Sequence, residues 1–185
     1  MTSYSIPRPT AGDITDLIAA DHRLLEDLMR DMRDSEADRD AARAAFSDLL
    51  VAHSEAEEET VYPHLKSKKV IDGEEQEHGD KEHAATNEAL LHLLQAKGTD
   101  TQKFEDALEE VAEVLNHHIG EEELSILNPA KEDASQDLRE SLAEAWTSKR
   151  NSLLDSGCGT LESVEKIVKK AYDDGLLPND EQPEG

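Results

Sequence analysis

Two histidine and glutamate pairs stand out in the sequence, because each places an imidazole and a carboxylate about one helical turn apart and is followed by a proline. The first pair is His53 and Glu57, ahead of Pro63, and the second begins at His118. An apolar stripe precedes each histidine at positions i−7, i−4 and i−3, so both imidazoles continue the buried face of an amphipathic helix. The stripes consist of Phe46, Leu49 and Leu50 in the first case and of Val111, Val114 and Leu115 in the second.

Two carboxylates compete as the partner of His118. The first glutamate precedes its proline by six residues, and Glu123 precedes Pro129 by the same six. This alignment predicts Glu123 as the partner, with a locally widened helical turn near Gly120 to bring it onto the histidine face. Glu122, which has the regular spacing of four residues, is the alternative ligand.

Two further histidines lie on apolar stripes in segments that also predict helices. Asp13 is a favourable N-cap, and from Ile14 one helical stripe runs through His22. Later in the chain, His83 shares a helix face with Leu90. The sequence therefore predicts four histidines that point inward, each on its own helix.

Composition and periodicity predict an all-α protein. Only six of the 185 residues are aromatic, and apolar residues recur with the helical period of about 3.6. The other two histidine-bearing helices are predicted over about 41–65 and 101–127, with a loop over 66–77. Helices of about 20–25 residues with short connections favour an antiparallel up-down-up-down four-helix bundle with two additional C-terminal helices. The predicted organisation is an N-terminal extension over 1–13, the bundle over 14–130, a C-terminal helical extension over 131–177 and a flexible tail over 178–185.

The strongly negative charge of the chain argues against anionic partners. The formal net charge is −25, from 44 acidic and 19 basic residues, which repels nucleic-acid phosphates and anionic membrane surfaces. No segment has the roughly 20 apolar residues that cross a bilayer, so we expect a cytoplasmic protein. The single cysteine, Cys158, is flanked by two glycines and is predicted to lie in a mobile connector, as an incidental free thiol.

Four inward histidines and two inward glutamates are costly in an apolar core unless they bind something. A pair of metal ions is the simplest ligand. Imidazole and carboxylate without thiolate suit iron or manganese, and glutamates near the axis of a bundle are placed to bridge two cations about 3.5–4 Å apart.

In these motifs the sequence resembles the hemerythrin-like family, the HHE cation-binding domain. The resemblance covers about residues 14–130 and depends on Asp21-His22, His53-x3-Glu57 with Tyr62-Pro63, Glu82-His83, and His118-x4-Glu123 ending in Pro129. It implies a non-haem di-iron centre with an oxo or hydroxo bridge, for which manganese is the alternative metal. The implied ligands are the bridging carboxylates Glu57 and Glu123 and the capping histidines His22, His53, His83 and His118.

The third helix departs from the family pattern, which has a His-x3-His pair there. The position four residues before His83 is Gly79, and His78 is rotated by roughly 140° on an ideal helix. His78 can therefore serve as a ligand only if the start of the helix is unwound. The other candidates for the missing ligand are Tyr62, Tyr172, Asn87 and Gln76, whereas His64, His92 and His117 are predicted at the surface or just outside the site.

Three functions are compatible with this reading. The resemblance implies reversible binding or sensing of dioxygen at an open iron position. A catalase-like enzyme that detoxifies hydrogen peroxide or nitric oxide is the second hypothesis, which the missing histidine favours because it leaves another position open. The third is an iron-binding sensor or interaction protein without turnover. A ferritin-like di-iron bundle ranks lower, since its Glu-x-x-His signature occurs only at Glu75 and His78, in the predicted loop.

Overall fold

The computed structural model describes residues 4–178, and every regular element in that range is helical. This confirms the all-α class, since no strand occurs among the described residues. The predicted tail over 178–185 lies outside the described part of the chain except for Pro178. The elements are α1 Ile14–Arg33, α2 Arg39–Thr60, α3 Tyr62–Ser67, α4 Gly73–Gln95, α5 Gln102–Glu122, a π-helical segment Glu123–Leu127, α6 Asn128–Asp133, α7 Gln136–Ser156 and α8 Leu161–Asp173.

Helix α4 begins earlier than the sequence pattern predicts. Asp72 is its N-cap and accepts hydrogen bonds from the backbone N–H groups of Glu74 and Glu75. The Glu75 side chain in turn accepts from the N–H of Asp72, which completes a capping box. The predicted loop over 66–77 is therefore too long, because Asp72 and Glu75 cap a helix that begins inside that range.

The prolines start new helices, since a proline in the first turn gives up only an N–H that has no partner inside the helix. Helix α2 ends at Thr60, and α3 starts at Tyr62 with Pro63 in its first turn. The predicted helix over 41–65 is thus divided in two. Pro129 lies in the same way in the first turn of α6.

The predicted widened turn exists, but it lies further along the chain. Helix α5 keeps regular α-helical geometry through Glu122, and the π-helical segment begins only at Glu123. The additional residue that a π turn accommodates therefore lies between Glu122 and Pro129. As a result, counting backwards from the proline misses the histidine face by one residue.

The histidines divide the core into two apolar clusters. On α1, Ile18 belongs to the cluster near Trp146, Leu25 belongs to the larger cluster, and His22 lies between them. The same change of cluster occurs around His53 of α2, and after His118 it falls between Ile119 of α5 and Ile126 of the π-helical segment. Helix α1 packs against α2 and α4 against α5, while α7 packs against α2 and α1, and α8 against α4. A polar layer is therefore enclosed by apolar packing on both sides.

The connection between α7 and α8 is held against α2, in contrast to the predicted mobile connector. The Ser47 hydroxyl donates to the Gly159 carbonyl over 2.7 Å, and the Gly159 N–H donates to the Asp48 carboxylate over 2.7 Å. A side chain on Gly159 would collide with the backbone of Ser47 and Asp48, so glycine is required there. Cys158 is buried beside this contact, and burial raises the pKa of its thiol to about 12.

The helices of residues 4–178 are all too short or too polar to cross a lipid bilayer.

Candidate metal centre

The four predicted histidines meet in the polar layer. His22 of α1, His53 of α2, His83 of α4 and His118 of α5 are all buried. They form two pairs: the ring centroids of His22 and His53 are 5.1 Å apart, and those of His83 and His118 are 4.6 Å apart. The apolar periodicity of each helix turns its histidine inward, so the four rings converge from four different helices.

Two fully buried carboxylates link the histidine pairs. Glu57 places one oxygen 3.1 Å from Nε2 of His53 and the other 3.3 Å from Nε2 of His83. Glu122 Oε2 lies 3.0 Å from Nε2 of His22 and 3.7 Å from Nε2 of His118. Within the described residues, two sets of side chains have ligand atoms within 4.8 Å of one another: His22, His53, Glu57 and Glu122, and Glu57, His83 and His118. Glu57 is common to both sets.

Each histidine is oriented by a second carboxylate on the outer side of the cluster. A carboxylate oxygen lies within hydrogen-bonding distance of Nδ1 of every ring, and an Nδ1–H donated to it directs the Nε2 lone pair inward. These outer pairs are His22 with Glu123 at 3.2 Å, His53 with Asp21 at 3.2 Å, His83 with Glu58 at 2.9 Å, and His118 with Glu82 at 3.0 Å.

The inward atoms lack the hydrogen bonds that buried polar atoms normally have. Leaving such atoms unpaired is costly, and six of them facing one another call for a common partner. All of them are good ligand atoms for iron or manganese, so the residues present fit a pair of metal ions. The six atoms, which make no hydrogen bond to any residue over 4–178, are Nε2 of His22, His53 and His118, both carboxylate oxygens of Glu57, and Oε2 of Glu122.

The electrostatics of the layer also favour a cation. Burial lowers the pKa of His53 to about 4 and that of His83 to about 3, so both rings are neutral at pH 7 and keep a free lone pair. Burial, and then the charge of Glu122, raise the pKa of Glu57 well above its usual range. A second negative charge is therefore unfavourable in this layer until a cation compensates it.

Comparison with known proteins agrees with this geometry. The family model of the hemerythrin HHE cation-binding domain matches residues 13–130. The chain belongs to the hemerythrin family. It is 31% identical over 126 residues to an uncharacterized hemerythrin-like protein of Schizosaccharomyces pombe (strain 972), which is 66% of this chain and 59% of that protein. It is also 25% identical over 144 residues to a DNA nickase of Nostoc sp. (strain PCC 7120), which is 76% of this chain and 40% of that protein.

The chain thus spans less than two thirds of the length of either relative. No solved structure matches it.

The inner carboxylate from the last bundle helix is Glu122, and this corrects the expectation that it is Glu123. The Glu123 side chain is 49% exposed and reaches only the outer Nδ1 of His22. The reason is the regular geometry of α5, which keeps the i+4 residue on the face of His118 and starts the π turn one residue too late to bring Glu123 inward.

Tyr62 lies next to Gly79, at the position where the hemerythrin pattern has a histidine that this chain lacks. A Cβ atom at Gly79 would lie 3.0 Å from Cε2 of Tyr62, so the ring fits because the residue is glycine. The tyrosine ring stacks on His83, with centroids 5.6 Å apart and an angle of 14° between the planes. Its hydroxyl donates to Glu122 Oε1 over 2.7 Å. Burial raises the pKa of Tyr62 well above its usual value, which keeps the phenol protonated as a donor.

The remaining candidates lie outside the inner set. The His78 side chain is 55% exposed and contacts Glu82 at 3.2 Å, so helix α4 is not unwound to bring it inward. The Tyr172 hydroxyl donates to Glu88, away from the four histidines. His117, at 3.3 Å from Glu82, touches only the outer carboxylate. Elsewhere in the chain, Asn87 is buried in a separate cavity, Gln76 is partly exposed, and His64 and His92 are exposed.

The sequence did not identify the roles of the outer carboxylates. Asp21 and Glu82 each stand directly before one of the four inward histidines in the sequence, yet each hydrogen-bonds the histidine of a different helix. An acidic residue directly before an inward histidine was therefore a sequence signal for an outer carboxylate. No comparable signal marks Arg150, which is buried against Asp21.

Proposed function

We propose that this hemerythrin-family protein holds two non-haem iron ions in the histidine and carboxylate layer and reacts there with dioxygen or hydrogen peroxide. The observation that supports the proposal is the set of six buried ligand atoms without a hydrogen bond, which face one another from α1, α2 and α5. Manganese is the alternative metal, since it accepts the same nitrogen and oxygen ligands. The antiparallel up-down-up-down order of the four helices, with the divisions 1–13, 14–130 and 131–177, and a cytoplasmic location belong to the same proposal.

The two ligand sets differ in the number of residues they offer. One ion would be held by His22, His53, Glu57 and Glu122, and the other by His83, His118 and Glu57. The second set has one protein ligand fewer, because Gly79 replaces the family histidine. It is therefore the better candidate for the position at which a small oxidant exchanges with solvent.

The residues around this position control its protons and its water. The Tyr62 hydroxyl, 2.7 Å from Glu122 and 3.4 Å from His83 Nε2, holds a proton that can be offered to a ligand at the open position. Ile126 is buried against the same tyrosine and helps to exclude bulk water. Bound iron would supply the electron exchange with the oxidant, which no side chain of this layer supplies.

A catalase-like peroxide reaction is the second candidate function, and the Gly79 departure favours it. Disproportionation of two hydrogen peroxide molecules to two waters and one dioxygen requires proton movement at the centre. The buried phenol beside Glu122 is suited to that role. Nitric oxide detoxification and iron sensing without turnover are the remaining alternatives.

We infer no nucleic-acid partner for this chain, although one relative is named a DNA nickase. The formal charge of −25 would be repelled by phosphates, and binding to DNA normally depends on Lys and Arg contacts to them.

The direct test is to measure the metal content and the ultraviolet-visible spectrum of the purified protein, then to add hydrogen peroxide and follow oxygen release. Two irons per chain with repeated oxygen evolution would support a peroxide-consuming enzyme. Two irons with a stable spectral change under dioxygen and no turnover would support binding or sensing. Fewer than two metal ions per chain after reconstitution would overturn the di-iron proposal.

A pair of tyrosine variants tests the open position. Tyr62→Phe removes the buried hydroxyl and keeps the ring on His83, so both irons should remain while the reaction with peroxide slows or the oxidant spectrum shifts. Tyr172→Phe is the matched control, because its hydroxyl contacts Glu88 outside the centre. Equal behaviour of the two variants would remove Tyr62 from the proposal.

A further inference from the structure

A fully buried arginine from α7 reaches the outer edge of the metal centre. Arg150 donates from Nε to Asp21 Oδ2 over 2.6 Å and from Nη2 to Asp21 Oδ1 over 2.7 Å. This is the two-bond geometry in which a guanidinium fixes both the position and the plane of a carboxylate. Helix α7 lies beyond residues 13–130, over which the hemerythrin family model matches.

The carboxylate held by Arg150 is the one that orients His53. Asp21 Oδ2 accepts both from Arg150 and from the Nδ1–H of His53, the latter over 3.2 Å. The three side chains therefore form a continuous line from α7 through α1 to the inner surface of α2. All three are buried, so the guanidinium and the carboxylate balance each other in a medium that screens charge poorly.

Among the four outer carboxylates, Asp21 has a distinct environment. Glu58, Glu82 and Glu123 form no ion pair with a lysine or an arginine in the described part of the chain, whereas Asp21 has a guanidinium on both oxygens. His53 is thus the ligand whose orientation depends on a cation from outside the four bundle helices.

Helix α7 also contacts His53 directly. The Trp146 ring meets the His53 ring edge to face at 5.8 Å between centroids, and the Arg150 guanidinium lies 5.3 Å from the Trp146 ring. On its other side, Arg150 donates to the Pro7 carbonyl over 3.0 Å, and its neighbour Asn151 donates to the Pro9 carbonyl over 2.8 Å. The N-terminal segment therefore covers the arginine and completes its hydrogen bonding.

We propose that Arg150 is a positioning residue of the metal centre, which holds the Asp21 carboxylate in one position and plane and thereby fixes the ring direction of His53. Without the guanidinium, the Asp21 carboxylate would lose the two hydrogen bonds that fix its plane, and the His53 ring would lose a fixed partner for its Nδ1. The direction of His53 Nε2 toward the ion would then be less well defined. Helix α7 is then a working part of the centre and not only a cover over the bundle. The inference rests on the proposed function, because it assumes that His53 binds one of two ions.

The test compares iron binding and thermal stability in the full-length protein. Arg150→Met, Arg150→Lys and Asp21→Asn are loaded anaerobically with Fe²⁺, and affinity is measured by competition with a chelator. We expect Arg150→Met and Asp21→Asn to weaken one of the two ions about 10-fold to 100-fold and leave the other unchanged, since outer partners of metal ligands have effects of this size. Arg150→Lys keeps the positive charge but cannot form the two parallel hydrogen bonds to Asp21, so its iron affinity should be intermediate. The absorption spectrum of the oxidised iron should shift in the same variants.

The matched control is Arg39→Met. Arg39 is also a buried arginine, which donates to the Met32 carbonyl over 2.6 Å and lies 4.8 Å from the Phe104 ring, without contact to a ligand histidine. Its loss should lower the melting temperature and keep both ions at wild-type affinity with an unchanged spectrum.

The inference is overturned if Arg150→Met keeps both ions at wild-type affinity, or if it loses both in parallel with a melting temperature that falls as in Arg39→Met. If Arg150→Met does not fold, Asp21→Asn decides, because it preserves shape and removes the charge; undiminished binding of both ions in that variant would also overturn the inference. A wild-type protein that binds fewer than two ions would instead refute the proposed function.

Discussion

Exchanging one carboxylate for its isosteric amide at two adjacent positions tests the assignment of the inner ligands. Glu122→Gln removes a charge from a fully buried side chain that lies 3.0 Å from His22 Nε2 and 3.7 Å from His118 Nε2. Glu123→Gln removes a charge from a side chain that is 49% exposed and reaches only the outer Nδ1 of His22. The two variants have the same composition and net charge, so any difference between them reports position alone.

The structure sets the expected sizes of the two effects. Removing an outer partner of a metal ligand typically lowers affinity about 10-fold to 100-fold, and a half-exposed partner such as Glu123 should fall at or below the lower limit, about 1.4 kcal/mol. Glu122 contacts one histidine of each pair, so the loss of iron-binding free energy on its replacement should exceed the upper limit of this range, about 2.8 kcal/mol. We therefore expect at least a tenfold difference in iron affinity between the variants.

The assay is a chelator competition with Fe²⁺ under anaerobic conditions, with iron counted per folded chain. Circular dichroism of both metal-free variants checks that the helices are retained. A larger loss of iron affinity for Glu123→Gln than for Glu122→Gln would refute the assignment. It would indicate that Glu123, the residue chosen by its spacing from Pro129, is the inner ligand.

Three further predictions concern single positions. In the metal-free protein the raised pKa of Glu57 keeps its carboxyl protonated, whereas the unfolded chain releases this proton above about pH 4.5, so the burial of Glu57 destabilises the fold more as pH rises. Glu57→Gln should therefore raise the free energy of unfolding in urea by more at pH 8 than at pH 5. An equal gain at both pH values would contradict this. Gly79→Ala should lower the free energy of unfolding by about 1–3 kcal/mol because the added methyl presses on Tyr62, offset by about 0.5–1 kcal/mol from the higher helix propensity of alanine. Gly120→Ala has open space around the added methyl and should only raise the free energy of unfolding. Thermal unfolding of the two variants measures this difference. His78→Ala should leave two irons per chain by metal analysis, and the loss of one iron would show that this exposed residue is a ligand after all.

The sequence predicted the helical class and the inward direction of the four histidines because both depend on local periodicity. His53 and His118 each follow an apolar stripe on the same helix, so their facing requires no knowledge of the other helices. Helix ends set by caps were less accurate. The start of α4 at Gly73 was missed, although Asp72 and Glu75 form a recognisable capping box.

The choice between Glu122 and Glu123 could not be made from spacing, because the position of the π turn is decided by packing. The sequence contains the extra residue before Pro129 but does not show on which side of the ligand the helix widens. Likewise, the outer hydrogen bonds join residues far apart in the chain. Asp21 lies beside His22 in sequence but pairs with His53, 32 residues away, and with Arg150, 129 residues away.

The place of Arg150 in the chain has a consequence for the order in which the protein is made. Synthesis releases the chain from its N-terminal end, so α1 to α5 leave the ribosome with every inner ligand before α7 does. At that stage Asp21 has no guanidinium partner, and His53 is not yet held. On the proposed function, the ion bound by His53 would reach its full affinity only after α7 has packed, whereas the other ion could bind before α7 is made.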